Sequence, residues 1–235
     1  MNFSGNKVAV RAFVINIDSR TDRLTNIDAQ RDNVPFRLER FSAVTPANLD
    51  LEDSRFVLPP VAACWNSHVS LFNKIVEEGI DIALVFEDDF DLGSIDLQKS
   101  VEFMISNDID ILQLGFLRGT IGRQIDLCGR NLLHSVLFVL MKLYKLVPVL
   151  QRIREIKLLS EMRFDRFAYV PYDFRFGAHG YIITLKAADE IRRLNNPQFL
   201  AADDFFVALS KMKHFSMARL LFSKVSQIKS PSSIR

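Results

Sequence analysis

Residues 80–86 read Ile-Asp-Ile-Ala-Leu-Val-Phe, an apolar run with no polar alternation apart from Asp81, and the run stops at four acids in five positions, Glu87, Asp88, Asp89 and Asp91. A strand written this way has no face to give to water, so other elements must cover both sides of its sheet. Folds with helices on both faces of a mostly parallel sheet meet that requirement; bundles and half-solvated antiparallel sheets do not. The surroundings repeat the theme. Val8 to Ile17 is rich in β-branched and aromatic residues, and Asp18-Ser19-Arg20-Thr21-Asp22 then offers cap chemistry for a helix running to about Gln30. Phe36 to Val44 reads as a second strand. Pro59-Pro60 opens a helix over Val61 to Glu78, with Leu71, Ile75 and Val76 at helical spacing and Gly79 as its stop. A helix at Leu97 to Ser106 and a strand at Ile109 to Leu114 continue the alternation.

The later part of the chain is written differently. Leu132 to Ile156 is Leu- and Val-rich, carries Lys142, Lys145, Arg152 and Arg154, and is broken by Pro148 into two expected helical pieces. A strand is expected at Tyr181 to Leu185, helices at Ala187 to Leu194 and Asp203 to Met212, and a basic, Ser-rich tail that frays. With 235 residues, 49% of them apolar and 25% charged, the chain can bury one substantial core or at most two small ones.

The net charge of +2 conceals an asymmetry. Up to Cys128 there are 12 Lys and Arg against 20 Asp and Glu, and after it 18 against 8. Residues 129–166 hold 8 cations and 3 anions, and residues 205–235 hold 6 and none, interleaved with Leu, Phe, Met and Val. Basic amphipathic stretches of this kind suit an anionic membrane surface, where each cation contributes about 1 kcal/mol. Core helices with solvated Lys and Arg on the outer face are the alternative for Leu132 to Leu150. No recognised nucleic-acid motif accompanies the charge. Cys64 and Cys128, 64 positions apart, give neither a disulfide framework nor a paired-cysteine zinc spacing, which fits a reducing, cytoplasmic setting. The N-terminal residues do not read as a secretory signal. The longest uncharged stretch in the later apolar region, residues 131–141, is shorter than the roughly 20 residues a spanning helix needs.

The chemistry is written at strand ends. In open α/β sheets, ligands bind beyond the carboxyl ends of the strands, which is where Glu87-Asp88-Asp89 falls. Crowded carboxylates repel one another, and a hard cation such as Mg²⁺ or Mn²⁺, which prefers oxygen ligands and bridges to a diphosphate, relieves that repulsion. A solvated acidic turn is the plainer alternative. Asn16 lies at the end of the first strand, and Arg20 and Arg23 follow at i and i+3, a spacing that puts two guanidinium groups on one helical face, ready for phosphate.

Five segments in order, Val14-Ile15-Asn16-Ile17-Asp18 with Arg20-Thr21-Asp22-Arg23, Cys64-Trp65-Asn66-Ser67-His68, Ala83 to Asp89, Gly177-Ala178-His179-Gly180-Tyr181-Ile182-Ile183, and Asp203-Asp204-Phe205-Phe206, resemble the motifs of glycosyltransferase family 25. One departure is Ala63, where the family often has Gly before the Cys. The resemblance implies a GT-A type nucleotide-diphospho-sugar transferase fold, with a Rossmann-like, mostly parallel sheet flanked by helices. It also implies a nucleotide-sugar donor, commonly UDP-galactose, and transfer with inversion to a lipooligosaccharide or other lipid-linked glycan. In that picture Asp89 and Glu87 hold Mn²⁺ or Mg²⁺, although Asp89 and Asp91 make a second possible register, while Asn16, Arg20, Arg23, Asp88 and His179 contact the donor. Asp203 and Asp204 are the candidates for the general base that inversion requires. Ser67 and His68 fall on the acceptor side. The catalytic domain is expected over 1–206, with the basic insertion at 129–166 and a basic helix and tail over 207–235, peripheral on the inner face of the cell membrane. A transferase with a protein or other glycan acceptor, or a silent glycan- or membrane-binding module of the same fold, are the rivals.

Overall fold

The structure is a computed structural model that describes residues 2–3, 6–49, 57–93, 95–116, 169–171, 174–195, 198–212, 214–220 and 225–228. The expected helices of the basic insertion lie outside the described residues.

The strands are β1 (Asn2–Phe3), β2 (Asn6–Lys7), β3 (Val10–Asn16), β4 (Leu38–Ser42), β5 (Ile82–Glu87), β6 (Phe90–Asp91), β7 (Ile111–Gln113), β8 (Tyr169–Pro171), β9 (Gly180–Thr184), β10 (Met217–Leu220) and β11 (Ser226–Gln227). The helices are α1 (Leu24–Arg31), α2 (Pro59–Glu77), α3 (Leu97–Ser106), α4 (Leu185–Leu194) and α5 (Ala202–Met212). Seven strands form the main sheet in the order β4-β3-β5-β9-β7-β10-β8. β4, β3, β5, β7 and β10 point one way, while β9 runs antiparallel to both β5 and β7, and β8 runs antiparallel to β10. The architecture is therefore α/β with a mostly parallel sheet, as the first 117 residues predict. The reversal of β9 has no signal in its composition, because Gly180–Ile183 is as apolar and as buried as a parallel central strand.

The apolar run over residues 80–86 is covered on both faces of the sheet. Ala83 and Val85 join Trp65, Leu71 and Ile75 of α2, Ile191 of α4 and Phe206 of α5 on one face of the sheet. Ile82, Leu84 and Phe86 join Ile27 of α1 and Leu97, Val101 and Met104 of α3 on the other. Each large apolar side chain so covered contributes about 1.5–3 kcal/mol. Trp65 sits among Phe72, Phe205 and Phe206, with ring centroids 6.4, 4.7 and 6.2 Å away, and is a core aromatic.

Helix starts follow local chemistry. The Asp96 side chain accepts from Lys99 N at the head of α3, and Thr184 does the same for Ala187 N at the head of α4. The stretch after β3 departs from expectation. Residues Thr21–Arg23 form a short 3-10 turn without a side-chain cap, and Asp22 pairs with Arg20 instead. Arg23 is buried, and Arg20 stays half-buried, paired with Asp22 and within electrostatic reach of Asp88 and Asp89.

The boundary expected after residue 206 falls inside α5, and beyond it β10 pairs with β7 and β8 in the main sheet. β11 then pairs with β6, directly beside the acidic turn. Val225 packs so closely there that a Cβ at Gly115 would stand 2.5 Å from the Val225 carbonyl oxygen, and one at Gly180 would stand 2.9 Å from Val225 Cγ1. Gly115→Ala is expected to push residues 225–228 off the sheet edge and to destabilise the protein by about 1–3 kcal/mol. Denaturant unfolding with an unchanged slope checks this.

Candidate active site

Because β3, β4 and β5 are parallel, their carboxyl ends share one edge of the sheet. The antiparallel β9 starts at that same edge, with Gly180 opposite Phe86 and the Glu87 amide donating to the His179 carbonyl at 3.3 Å. The reversed strand therefore delivers Gly177 to Gly180 beside the acidic turn.

One side of the edge is a network of fixed charges. Asn16 donates through Nδ2 to Asp88 Oδ2 at 2.7 Å and accepts from Arg40 Nε at 2.8 Å. Arg40 also pairs with Asp18, which accepts from Ser42 Oγ at 2.7 Å, and these bonds hold the Asp18 carboxyl below the usual range. Arg23 Nη1 pairs with Asp88 and lies 3.2 Å from Asp89 Oδ2. Arg23, Asp88 and Asp89 are 7%, 6% and 9% exposed, so this triad is buried. Asn26 pins the turn backbone, donating to the Asp88 carbonyl at 3.2 Å and the Phe90 carbonyl at 3.0 Å. From the C-terminal residues, Gln227 Nε2 donates to Asp89 Oδ2 at 2.9 Å and the Ile228 amide to the Asp89 carbonyl at 2.7 Å. Burial raises the Asp89 pKa, partly opposed by Arg23 and Gln227. Asp91 turns its carboxylate to the Gly93 amide at 3.0 Å.

Strand alternation sends Glu87 the other way, toward α2. Ligand atoms of Cys64, His68 and Glu87 lie within 4.8 Å of one another. His68 Nδ1 is 2.8 Å from the Tyr181 hydroxyl. Burial lowers His68 to about 4, and it pushes Glu87 up to about 8 with help from the negative charges of Asp89 and Asp203. Burial also raises the Cys64 thiol and the Tyr181 hydroxyl. Ser67 Oγ donates to the Ala63 carbonyl at 2.8 Å and accepts from the Val44 amide at 2.9 Å, tying α2 to the segment after β4.

Asp203 and Asp204 both sit in the first turn of α5. Asp203 is half-buried, raised by burial and opposed by the Gly177 and Ala178 backbone amides, whereas Asp204 is exposed. His179 is lowered to about 4 by burial and is hydrogen-bonded to the Val225 backbone. Of the sequence-expected residues, the structure thus brings together Asn16, Arg23, Asp88 and Asp89 in one cluster, and Glu87 with His68 in a neighbouring one. Arg20 pairs with Asp22 at the margin of the first cluster, within electrostatic reach of Asp88 and Asp89, and Ser67 is engaged with Ala63 and Val44. Arg40, Asn26, Cys64, Tyr181 and Gln227 join the site without having been assigned a role. Cys64 and Tyr181 lay inside recognisable motifs, but Arg40, Asn26 and Gln227 carried no local signal.

Among the described residues, Asp89 Oδ1 and His179 Nε2 are buried at this edge without a hydrogen-bond partner. An unpartnered buried carboxylate oxygen at a strand-end turn is the donor chemistry a hard divalent cation takes, so Asp89 fits such a group. Both Asp88 carboxylate oxygens already have partners, Oδ1 in Arg23 and Oδ2 in Asn16.

The mostly parallel sheet flanked by helices, with buried carboxylates and arginine at its strand ends, is the Rossmann-like α/β architecture of a GT-A type fold. The chain belongs to glycosyltransferase family 25, since residues 9–206 match the profile described as "Glycosyltransferase family 25 (LPS biosynthesis protein)". It is a glycosyltransferase of lipopolysaccharide biosynthesis, a role that calls for a nucleotide-sugar donor and a glycan acceptor. No curated protein matches the sequence. Among solved structures, A197 from STIV is similar at 12% identity over 95% of this chain and 87% of its own, with a TM-score of 0.47. Among the described residues no helix is long and apolar enough to cross a membrane.

Proposed function

We propose that the protein transfers a hexose, galactose, from a UDP-sugar to a lipooligosaccharide or lipid-linked glycan with inversion at the anomeric carbon. The buried cluster of Asn16, Arg23, Asp88 and Asp89 at the ends of β3 and β5 carries this reading. It presents fixed, opposed charges where a nucleotide diphosphate docks on such a sheet. Asn16, Arg20, Arg23, Asp88 and His179 form the donor side, with Arg23 and Asn16 setting the orientation of Asp88. Asp89 holds Mn²⁺ or Mg²⁺, and such an ion, when bound, offsets negative charge on the diphosphate. Glu87, the other carboxylate of that motif, faces Cys64 and His68.

Of the two acids opening α5, the half-buried Asp203 suits the general base better than the exposed Asp204. Its raised affinity for a proton matches the task of taking one from an acceptor hydroxyl. Ser67 and His68 serve the acceptor side by fixing α2 against Val44 and Tyr181.

A screen of nucleotide sugars, with and without lipooligosaccharide acceptors and with and without chelator, tests the reading. Metal-dependent turnover supports it, and the absence of both turnover and a metal-dependent thermal shift with UDP overturns it. Asp89→Asn is expected to lower metal-dependent transfer about 100-fold, equivalent to ~2.7 kcal/mol of transition-state stabilisation, while the fold is kept. Most of the apolar residues of 205–220 are taken up by the core and by β10, so peripheral attachment is proposed through the basic stretch 129–166; it predicts flotation of the protein with anionic liposomes at low salt and its release at high salt.

A further inference from the structure

We infer that Cys64, His68 and Glu87 form a second metal site, one for a borderline-soft divalent ion of the Zn²⁺ type, separate from the hard-cation position at Asp89. Cys64 and His68 stand at i and i+4 on α2, so both project from one face of the helix, and Glu87 closes on them from the end of β5. The three ligand atoms already lie within 4.8 Å of one another. Zinc bonds of about 2.0–2.3 Å place neighbouring ligands roughly 3.5 Å apart, so an inward movement of about 1 Å completes the set.

The donor types decide the ion. Thiolate and imidazole select Zn²⁺ and similar transition metals, whereas Mg²⁺ keeps to oxygen. The surroundings are built for orientation. His68 is 1% exposed, and its Nδ1 is held 2.8 Å from the Tyr181 hydroxyl, the kind of outer hydrogen bond that fixes a metal-binding imidazole. Trp65, Phe72 and Phe206 wall the cluster on the apolar side. Three protein ligands leave a fourth position for water. The ion would bridge α2 to the tip of β5 and draw Glu87 away from the acidic turn, which leaves Asp89 to the hard cation. This inference does not depend on sugar transfer.

The test is spectroscopic and uses the full chain. Metal-free wild-type protein titrated with Co²⁺ is expected to develop a thiolate-to-cobalt charge-transfer band and tetrahedral ligand-field absorption that saturate at one equivalent of thiolate-bound ion. Zn²⁺ is expected to displace the Co²⁺, and excess Mg²⁺ to leave it in place. Cys64→Ser should abolish the charge-transfer band, and Glu87→Gln should weaken Zn²⁺ binding at least about 10-fold. Asp89→Asn and Cys128→Ser should leave the band intact. Should Cys64→Ser fail to fold, protection of the Cys64 thiol from alkylation by Zn²⁺ in the wild type, mapped by mass spectrometry, replaces it. Folded wild-type protein that takes up no Co²⁺, a band that survives Cys64→Ser, a band lost with Cys128→Ser, or Cys64 alkylation unaffected by Zn²⁺ each overturn the inference.

Discussion

Replacing Arg23 with methionine is expected to cost the protein about 3–5 kcal/mol of stability, read as a fall in the denaturant midpoint at constant slope. The size follows from what the guanidinium leaves behind. Asp88 and Asp89 are consecutive, both are buried, and Arg23 is the cation that pairs with each of them. Methionine keeps the apolar stem and removes the charge, so two buried carboxylates lose the guanidinium that bridges them. Asp89, raised by burial and held down in part by Arg23, then holds its proton more tightly in the folded state than in the unfolded chain. A carboxyl with a raised folded pKa favours folding less as pH rises from the unfolded value toward the folded one, so the deficit of the variant should be smaller near pH 5 than near pH 8. Arg23→Lys should recover only part of the loss, because a point charge does not span two carboxylates as a guanidinium does. A deficit below about 1 kcal/mol would mean that Asn16, Asn26 and Gln227 suffice to hold the turn.

The second large effect is expected at Asp203. Asp203→Asn should lower kcat by about 10²- to 10⁴-fold, the usual contribution of a positioned general base, with donor affinity and thermal stability near wild type. Burial raises the Asp203 pKa, so the wild-type rate should fall on acidification at a pH above the ordinary carboxylate range. The sign is fixed by the role, because the base acts only when deprotonated. The residual activity of Asp203→Asn should lack that acid limb. Asp204→Asn, which alters an exposed side chain, should change kcat less than about 3-fold. The reverse outcome, a crippled Asp204→Asn and an active Asp203→Asn, would move the base by one residue.

Local pattern announces the elements that the sequence shows best. Residues 97–106 combine an Asp cap with apolar positions at helical spacing, and the helix has those bounds. Residues 80–86 lack a polar face, and the strand there is covered on both sides. The split within Glu87-Asp88-Asp89 was also available in principle. Strand alternation places Glu87 with Ala83 and Val85, toward α2, whereas Asp88 belongs to the cluster on the opposite side. What stays hidden depends on chain path. Nothing in Gly180–Thr184 tells its direction, yet that direction brings His179 to the active edge. Arg40 is an unremarkable strand residue until parallel pairing sets β4 next to β3 and aims it at Asn16. Gln227 gives no sign of meeting Asp89 because the partners are 138 residues apart.

That separation has a consequence for biosynthesis. Asp89 leaves the ribosome long before Gln227 and Ile228, the residues whose amides close around it, and Val225 has to arrive before Gly115 and Gly180 find their neighbour. β7 likewise waits for β9 and β10 before either of its edges is paired. A nascent chain stalled short of residue 225 therefore carries the acidic turn with its lid still unmade. Contacts of such long sequence separation form slowly, so the hydrogen bonds that Gln227 and Ile228 give Asp89 are among the last to form as the chain emerges.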